Sequence, residues 1–430
     1  MKTSSCAKAP RFHLLAAALV LVALATRPDA ARSDDFHYKS LLVGNRAAAM
    51  AGAYTALSDD PSGLYYNPAG IVYTNGANIS ASSNAFQYAT TEYKNAIGSS
   101  KWTRSSSTLL PNFFGAVQPL GNVTVGLSYA VPDSVKENLD QDFRNLSSLG
   151  LDTYVLNLNQ LDDTYLFGPS VAWGSGKFSA GLTLYGYYRH WEITMNQWIK
   201  EKDTTNSGGV VTQQGVQYQT NLYYEDTESG VRPIFGMIYS PTDHLSLGLS
   251  AARTFVLKSK ATKQVSNIWE GSANDDVSSI ALVSTKEKRE YPWTVTLGGA
   301  WYPDPSLILT LDATLYSITS NDEFPSAEPT WNVAAGCEYY ANRQWALRGG
   351  LYTNNSNTLK LKKGYVGQDP HIDEVGASFS TSYFSKSSSI ELGLSWAHGT
   401  GRDQVISGDT AIQNVTTDSV TLFLSANYFF

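Results

Sequence analysis

The chain reads as an all-β membrane β-barrel of about fourteen antiparallel strands, with a small N-terminal segment of helices and turns plugging its lumen. Three observations lead there. Apolar residues alternate with polar or small ones along most of the chain, aromatics collect near the ends of the alternating segments, and short connections alternate with long ones.

The alternation is plainest at the C-terminus. In SVTLFLSANYFF, one face carries Val420, Leu422, Leu424, Ala426, Tyr428 and Phe430, and the other carries Ser419, Thr421, Phe423, Ser425, Asn427 and Phe429. A period of two marks a strand with one apolar and one more polar face. The same pattern recurs in NVTVGLSY (Asn122–Tyr129), SLILTLDATLYS (Ser306–Ser317), TWNVAAGCEYY (Thr330–Tyr340) and SSIELGLSWAHG (Ser388–Gly399). These segments exceed the five or six residues typical of globular strands. Tyr291, Trp293, Trp301 and Tyr302 illustrate the aromatic enrichment at strand ends, the girdle pattern of a barrel's lipid-facing band.

The connections give the count. Tight turns at 119–122, 174–177, 240–244, 303–306, 341–344 and 385–388 each join two strands, which makes twelve. A first strand near Ala77–Glu92 and a last one ending at Phe430 bring the total to fourteen, even as closure requires. The longer connections, 93–110, 133–162, 191–228, 258–291, 319–328, 354–372 and 400–416, read as outer loops.

Residues 1–31 read as a secretory signal, with Lys2, Lys8 and Arg11 ahead of the short apolar run Leu14–Ala25. Removing Lys2, Lys8, Arg11, Arg27 and Asp29 with it carries away a net +3, so the formal charge of −7 becomes −10. An acidic exported chain argues against nucleic-acid binding. After the signal no apolar run reaches the length of a spanning helix, and Cys337 is the single cysteine left, so no disulfide framework is built. The expected division is thus 1–31 signal, 32–76 plug and 77–430 barrel, in the outer membrane of a Gram-negative bacterium.

The segment before the first strand has another character. Arg46–Leu57 is rich in alanine and glycine with helix-forming tendency, Asp60-Pro61 reads as an N-cap followed by a first helical residue, and Asn67-Pro68 as an Asx turn. GNRAAAMAGAYTALSDDPSGLYYNPAG, Gly44 to Gly70, resembles the N-terminal hatch of the FadL/TodX family of outer-membrane transporters for hydrophobic compounds. The likeness lies in Gly44, Arg46, the small residues through Gly52, Asp59–Asp60 and Asn67-Pro68-Ala69.

The resemblance implies a monomeric barrel blocked by a hatch, with gating through Gly44, Arg46, Asp59, Asp60, Asn67, Pro68 and Ala69. It implies capture of an apolar small molecule in a groove between outer loops three and four, roughly Trp191–Gly230 and Lys258–Glu290. Trp191, Ile193, Met195, Trp198 and Ile199 are the candidates to line that groove, with packing of the barrel's upper rim as the equal alternative. It further implies exit sideways beside a kinked third strand, Asn122–Pro132, where inward-facing Gly126 permits a kink or makes room for the plug. For a fatty-acid carboxylate, Arg348 is the luminal candidate, with Glu338 nearby as an alternative partner. The partners expected are therefore a hydrophobic ligand and outer-membrane lipid.

Catalytic signatures are missing from the sequence. His13, His37, His190, His244, His371 and His398 show no metal-ligand spacing, GSGK lacks the flanking residues of a phosphate loop, and there is no GxSxG elbow. No enzyme activity and no cofactor is expected. Two rivals to an uptake channel for long-chain fatty acids or aromatic hydrocarbons stay open: a docking or shuttle barrel for secreted partners, and a general porin, which requires a lumen free of the hatch.

Overall fold

The structure is a computed structural model that describes residues 36–430 apart from 98–99, 144–145, 206–208, 210, 271–276, 320–326 and 406–409. The signal-peptide reading falls on residues outside this set.

Fourteen antiparallel strands close into a barrel. They are β1 (Asn78–Ile97), β2 (Ser100–Leu120), β3 (Val123–Phe143), β4 (Leu151–Ser175), β5 (Phe178–Glu201) and β6 (Gln217–Thr242). Next come β7 in two pieces (Leu245–Ala252, Phe255–Glu270) and β8 in two pieces (Val277–Thr285, Thr294–Asp304). The last six are β9 (Leu307–Tyr316), β10 (Thr330–Tyr340), β11 (Trp345–Asn354), β12 (His371–Phe384), β13 (Ser388–Asp403) and β14 (Gln413–Phe429). β14 pairs with β1 from Asn78–Phe429 to Lys94–Asn414, which shuts the sheet. Closure is what hydrocarbon demands, because an open edge would leave N–H and C=O groups without partners. All six predicted tight turns lie at one rim, together with the start of β1 and the end of β14.

The lipid band follows the predicted alternation. On β13, Ile390, Leu392, Leu394 and Trp396 face outward and are exposed, while Ser389 and Glu391 between and beside them are buried in the lumen.

The outer loops depart from expectation. Of 133–162, only 144–150 lies outside strands, and β5 and β6 consume most of 191–228. The reason is a reversal of polarity. Within the band the outward residues are apolar and the inward ones small or polar. Beyond it, on β4 and β5, the inward residues are Tyr154, Leu156, Leu158, Trp191 and Ile193, all buried, and the outward ones are Asn157, Asn159, Glu192, Thr194 and Asn196. Water now bathes the outside, so the apolar face turns in. β4, β5 and β6 are therefore 24 to 26 residues long, against 10 or 11 for β9–β11, which is about what a bilayer needs.

Residues 36–77 lie inside the barrel and hydrogen-bond to inward-facing wall residues. They contain α1 (Arg46–Ala49), α2 (Gly63–Tyr66) and a 3₁₀ turn (Pro68–Tyr73). The helix expected from Arg46 to Leu57 stops after one turn, because Ala51 and Gly52 adopt φ of 56° and 77° and reverse the chain. The hatch-free lumen of a general porin is not what this chain has.

Replacing Leu394 with Arg puts a charge on the lipid face near mid-band. The expected loss is about 2–4 kcal/mol, measurable by reversible denaturant unfolding in lipid vesicles.

Candidate functional site

The hatch is bound to the wall by a buried charge network. Arg46, on α1, donates from Nε to both carboxylate oxygens of Glu338 at 3.1 and 2.9 Å and from Nη1 to Asp59 at 2.5 Å. Its Nη2 also donates to Glu338. Glu338 on β10 stands opposite Arg348 on β11, whose Nε reaches it at 2.7 Å, and Arg348 also pairs with Glu391 at 3.1 Å. Arg348 is thus committed to two carboxylates and to the Ser382 hydroxyl. Its guanidinium donors are therefore held in the wall, in the Glu338 pair that the sequence offered as the alternative, and not kept for a ligand's carboxylate.

The other hatch residues act through geometry. Asp60 Oδ1 accepts the Ser62 N–H at 2.8 Å, although the helix proper begins at Gly63, later than Asp60-Pro61 suggests. Burial pushes the Asp60 carboxyl up to about 6, against the pull of Arg46. Gly44 has φ 81°, which few other residues tolerate. Asn67 accepts from the Ala69 N–H at 3.1 Å, capping the turn that Pro68 opens, and its amide donates to Thr55 O at 2.7 Å and Met237 O at 3.1 Å. On β6, Gly236 is what lets Asn67 approach, for a Cβ there would sit 1.9 Å from Asn67 Oδ1. Asp312 on β9, which sequence reasoning passed over, accepts the backbone N–H groups of Tyr54 and Thr55, each at 2.9 Å. A carboxylate at an inward position of an otherwise apolar strand is the signal that marked it.

Above the hatch lies a cavity of about 260 Å³. Trp102, Phe143, Tyr154, Leu156, Leu158 and Met195 are among its apolar lining, and its charged positions include the cations Lys39 and Arg104 and the carboxylates Glu137, Glu374, Asp403 and Asp418. Arg104 is paired with Glu137 at 2.6 Å. Lys39, from the hatch, has no ion-pair partner among the described residues; its ammonium lies over the Tyr352 ring at 5.6 Å. Burial lowers Lys39 to about 8, against the opposing charge of Asp312.

The five loop candidates are all in β5 rather than in a loop. Met195 lines the cavity, and Trp191, Ile193 and Ile199 belong to the same buried cluster behind it. Trp198 has the opposite parity and faces out, 41% exposed.

Gly126 is regularly paired on both sides, with Val117 and with Ser170, so the strand does not kink there. A Cβ on it would lie 2.5 Å from Leu64 Cδ2, so it makes room for the hatch. The irregularity lies further on. Between β2 and β3 the ladder pairs Phe113 with Ala130 and resumes only at Ser106–Glu137, and the β3–β4 register shifts between Ala130 and Asp133. In that interval the hatch takes up a wall acceptor, with Leu41 N–H donating to Pro132 O at 3.1 Å.

A fourteen-stranded barrel, a hatch wired to its inner wall and an aromatic cavity above it define an outer-membrane protein built around a plugged lumen. The family model described as outer membrane protein transport protein (OMPP1/FadL/TodX) matches residues 22–422, and the chain belongs to that family of outer-membrane transporters for hydrophobic compounds. Solved structures agree in fold. A Pseudomonas aeruginosa FadL homologue is 15% identical with a TM-score of 0.63, the match covering 92% of this chain and 100% of that one. The Ralstonia pickettii toluene transporter TbuX is 15% identical with a TM-score of 0.59, covering 91% and 99%. The P. putida toluene transporter TodX is 15% identical with a TM-score of 0.57, again covering 91% and 99%. No match is found among curated proteins.

Glu338→Gln leaves Arg46 and Arg348 buried around a neutral amide. The expected cost is about 3–5 kcal/mol, with faster protease cleavage inside residues 36–77 as the local readout. Asp60 predicts a pH slope. Its carboxyl is raised in the folded state, so between about pH 4 and 6 the folded protein holds a proton that the unfolded chain has lost, and this residue's contribution to stability falls as pH rises through that window. Asp60→Asn should remove that part of the slope in a denaturation series.

Proposed function

We propose that this protein conducts hydrophobic molecules passively across the outer membrane, through capture above the hatch, hatch rearrangement and lateral exit between β2 and β3. One observation carries the reading: the cavity is floored by the hatch and bordered by the unpaired stretch of wall. Phe36, His37, Lys39 and Ser40 contribute to its floor, and Ser106, Ser134 and Val135 to its side. A molecule in this cavity lies beside the stretch between Phe113–Ala130 and Ser106–Glu137 where β2 and β3 are not paired, next to the Leu41–Pro132 bond that joins hatch to seam. Moving the hatch releases that bond, which couples plug and exit.

The substrate class favoured is an apolar chain with a carboxylate head. Trp102, Phe143, Tyr154, Leu156 and Leu158 give the cavity an aromatic and aliphatic side, and Lys39, cationic at neutral pH and without an ion-pair partner among the described residues, offers a charge-assisted contact to an anion. Unsubstituted aromatic hydrocarbons fit the apolar lining but leave Lys39 unused. The protein acts as a monomer in this scheme, since seam and cavity are complete within one chain.

Uptake of labelled oleate and toluene, in cells with and without the gene, tests the proposal. Oleate uptake should fall on deletion and return with the intact gene but not with Asn67→Ala, provided that variant reaches the membrane. Unchanged uptake of both compounds rejects transport of these classes. Lys39→Met should weaken oleate binding by the purified protein about tenfold, on the order of 1.4 kcal/mol, while sparing toluene. In the wild type, oleate affinity should decline as pH rises through about 8, where the lysine loses its proton.

A further inference from the structure

The outer wall carries a cationic cluster that the lumen does not use. It lies where β7 and β8 are each interrupted, and the sheet register places it at the edge of the lipid band. On β5 the outward residues Phe178, Leu182, Leu184 and Tyr188 give way to His190, Glu192 and Thr194, so the apolar band ends at Tyr188. Tyr188 pairs with Ser229, and Ser229 pairs with Lys258. Lys258 therefore stands at the level where hydrocarbon ends and headgroups begin.

The local structure turns several cations outward there. The β6–β7 register shifts between Val256 and Lys258, and in consequence the neighbours Leu257 and Lys258 are both exposed. Such an irregularity re-aims side chains at the edge of a ladder. Lys260 is exposed on the same strand, and Lys286 follows the last residue of the first β8 piece. The ladder's last pair is Ala261–Thr285, and Lys260 and Lys286 are the residues that flank it just beyond the paired stretch. Like charges gathered at a strand edge repel one another, and an anion between them relieves that repulsion. Lys258, Lys260 and Lys286 have no ion-pair partner among the described residues. Glu287 and Glu290, in the same connection, are exposed, and Lys288 is already engaged.

Below the lysines is an apolar shelf. Phe255, Leu257 and Trp293 are exposed at 38%, 56% and 47%. The Arg253 guanidinium lies 5.4 Å from the Phe255 ring centroid and 5.7 Å from that of Trp293, and its Nε is held on Tyr291 O at 3.0 Å. This fixes a cation among exposed rings, with the three exposed ammonium groups of Lys258, Lys260 and Lys286 nearby in the chain.

We propose that this corner of the barrel is a binding site for a phosphorylated glycolipid of the outer leaflet. The phosphates sit among Lys258, Lys260 and Lys286, and the acyl chains lie against Phe255, Leu257 and Trp293. Both halves are needed: a soluble anion has no use for the shelf, and an uncharged lipid has no use for the lysines. The site is independent of what passes through the lumen.

The test uses the full-length mature protein in detergent, with bis-phosphorylated lipid A, fully dephosphorylated lipid A and phosphatidylglycerol as separate probes, and native mass spectrometry as the readout. Phosphorylated lipid A should bind at least tenfold more tightly than either other lipid. The K258Q/K260Q/K286Q variant should lose that preference, while K136Q, an exposed lysine on β3, should keep it. Equal binding by wild type and the triple variant, by the dephosphorylated lipid, or by phosphatidylglycerol overturns the proposal. If the triple variant does not fold, the wild type still decides. Raising salt from about 50 mM to about 500 mM should weaken lipid A binding several-fold through screening of exposed charges, and a salt-independent affinity overturns the site.

Discussion

In hydrocarbon every backbone N–H and C=O must find a partner within the protein, and the rest of this structure follows from that demand. It forces closure of β14 on β1. Closing fourteen strands makes a lumen too wide for its own side chains to fill. The hatch is the answer to that volume, and it brings a second demand, because it carries irregular backbone into a closed space. Its polar groups are met one by one: Asp312 takes two N–H groups, Asn67 answers Thr55 and Met237, and Ser378 donates to Ala49 O. Gly126 and Gly236 let the hatch come against the wall, where any Cβ would collide.

The charge network has a different role from these hydrogen bonds. A buried ion pair adds little net stability, but removing one member leaves a stranded charge. Arg46 therefore makes the seated hatch a discrete state, in register with Glu338, rather than one of several loose packings. The Leu41–Pro132 bond ties the same segment to the wall where β2 and β3 are not paired.

Membrane and water divide the long strands between them. In the band the outside is apolar, and above it the inside is. The upper barrel is thus a second, water-soluble domain made from the same strands, and its core of Trp102, Phe143, Tyr154, Leu158 and Trp191 surrounds the cavity. The short β9–β11 end near the band, which leaves this upper domain lopsided and built chiefly from β1–β7. The interruptions of β7 and β8 fall where the two regimes meet, and the exposed lysines gather there.

Alternation, turn placement and the Gly44–Gly70 stretch were legible in the sequence because each rests on neighbours along the chain: side-chain parity, proline and Asx geometry, and small residues at fixed spacing. These determined the barrel, its strand number, the plug and the family. Chain parity also held the clue to the strand extensions, but the polar outward residues such as Asn157 and Glu192 resemble loop residues when the reversal of faces is not recognised. What only the tertiary structure decided depends on residues far apart in sequence. It placed Arg46 on Glu338 and spent Arg348 on Glu338 and Glu391. It turned Trp198 away from its neighbours and set the break in the third strand beyond Gly126. It left Lys39 in the cavity over the Tyr352 ring, without an ion-pair partner among the described residues. Local sequence specifies strands and turns, but which charges meet across a closed lumen is settled by the register of fourteen strands taken together.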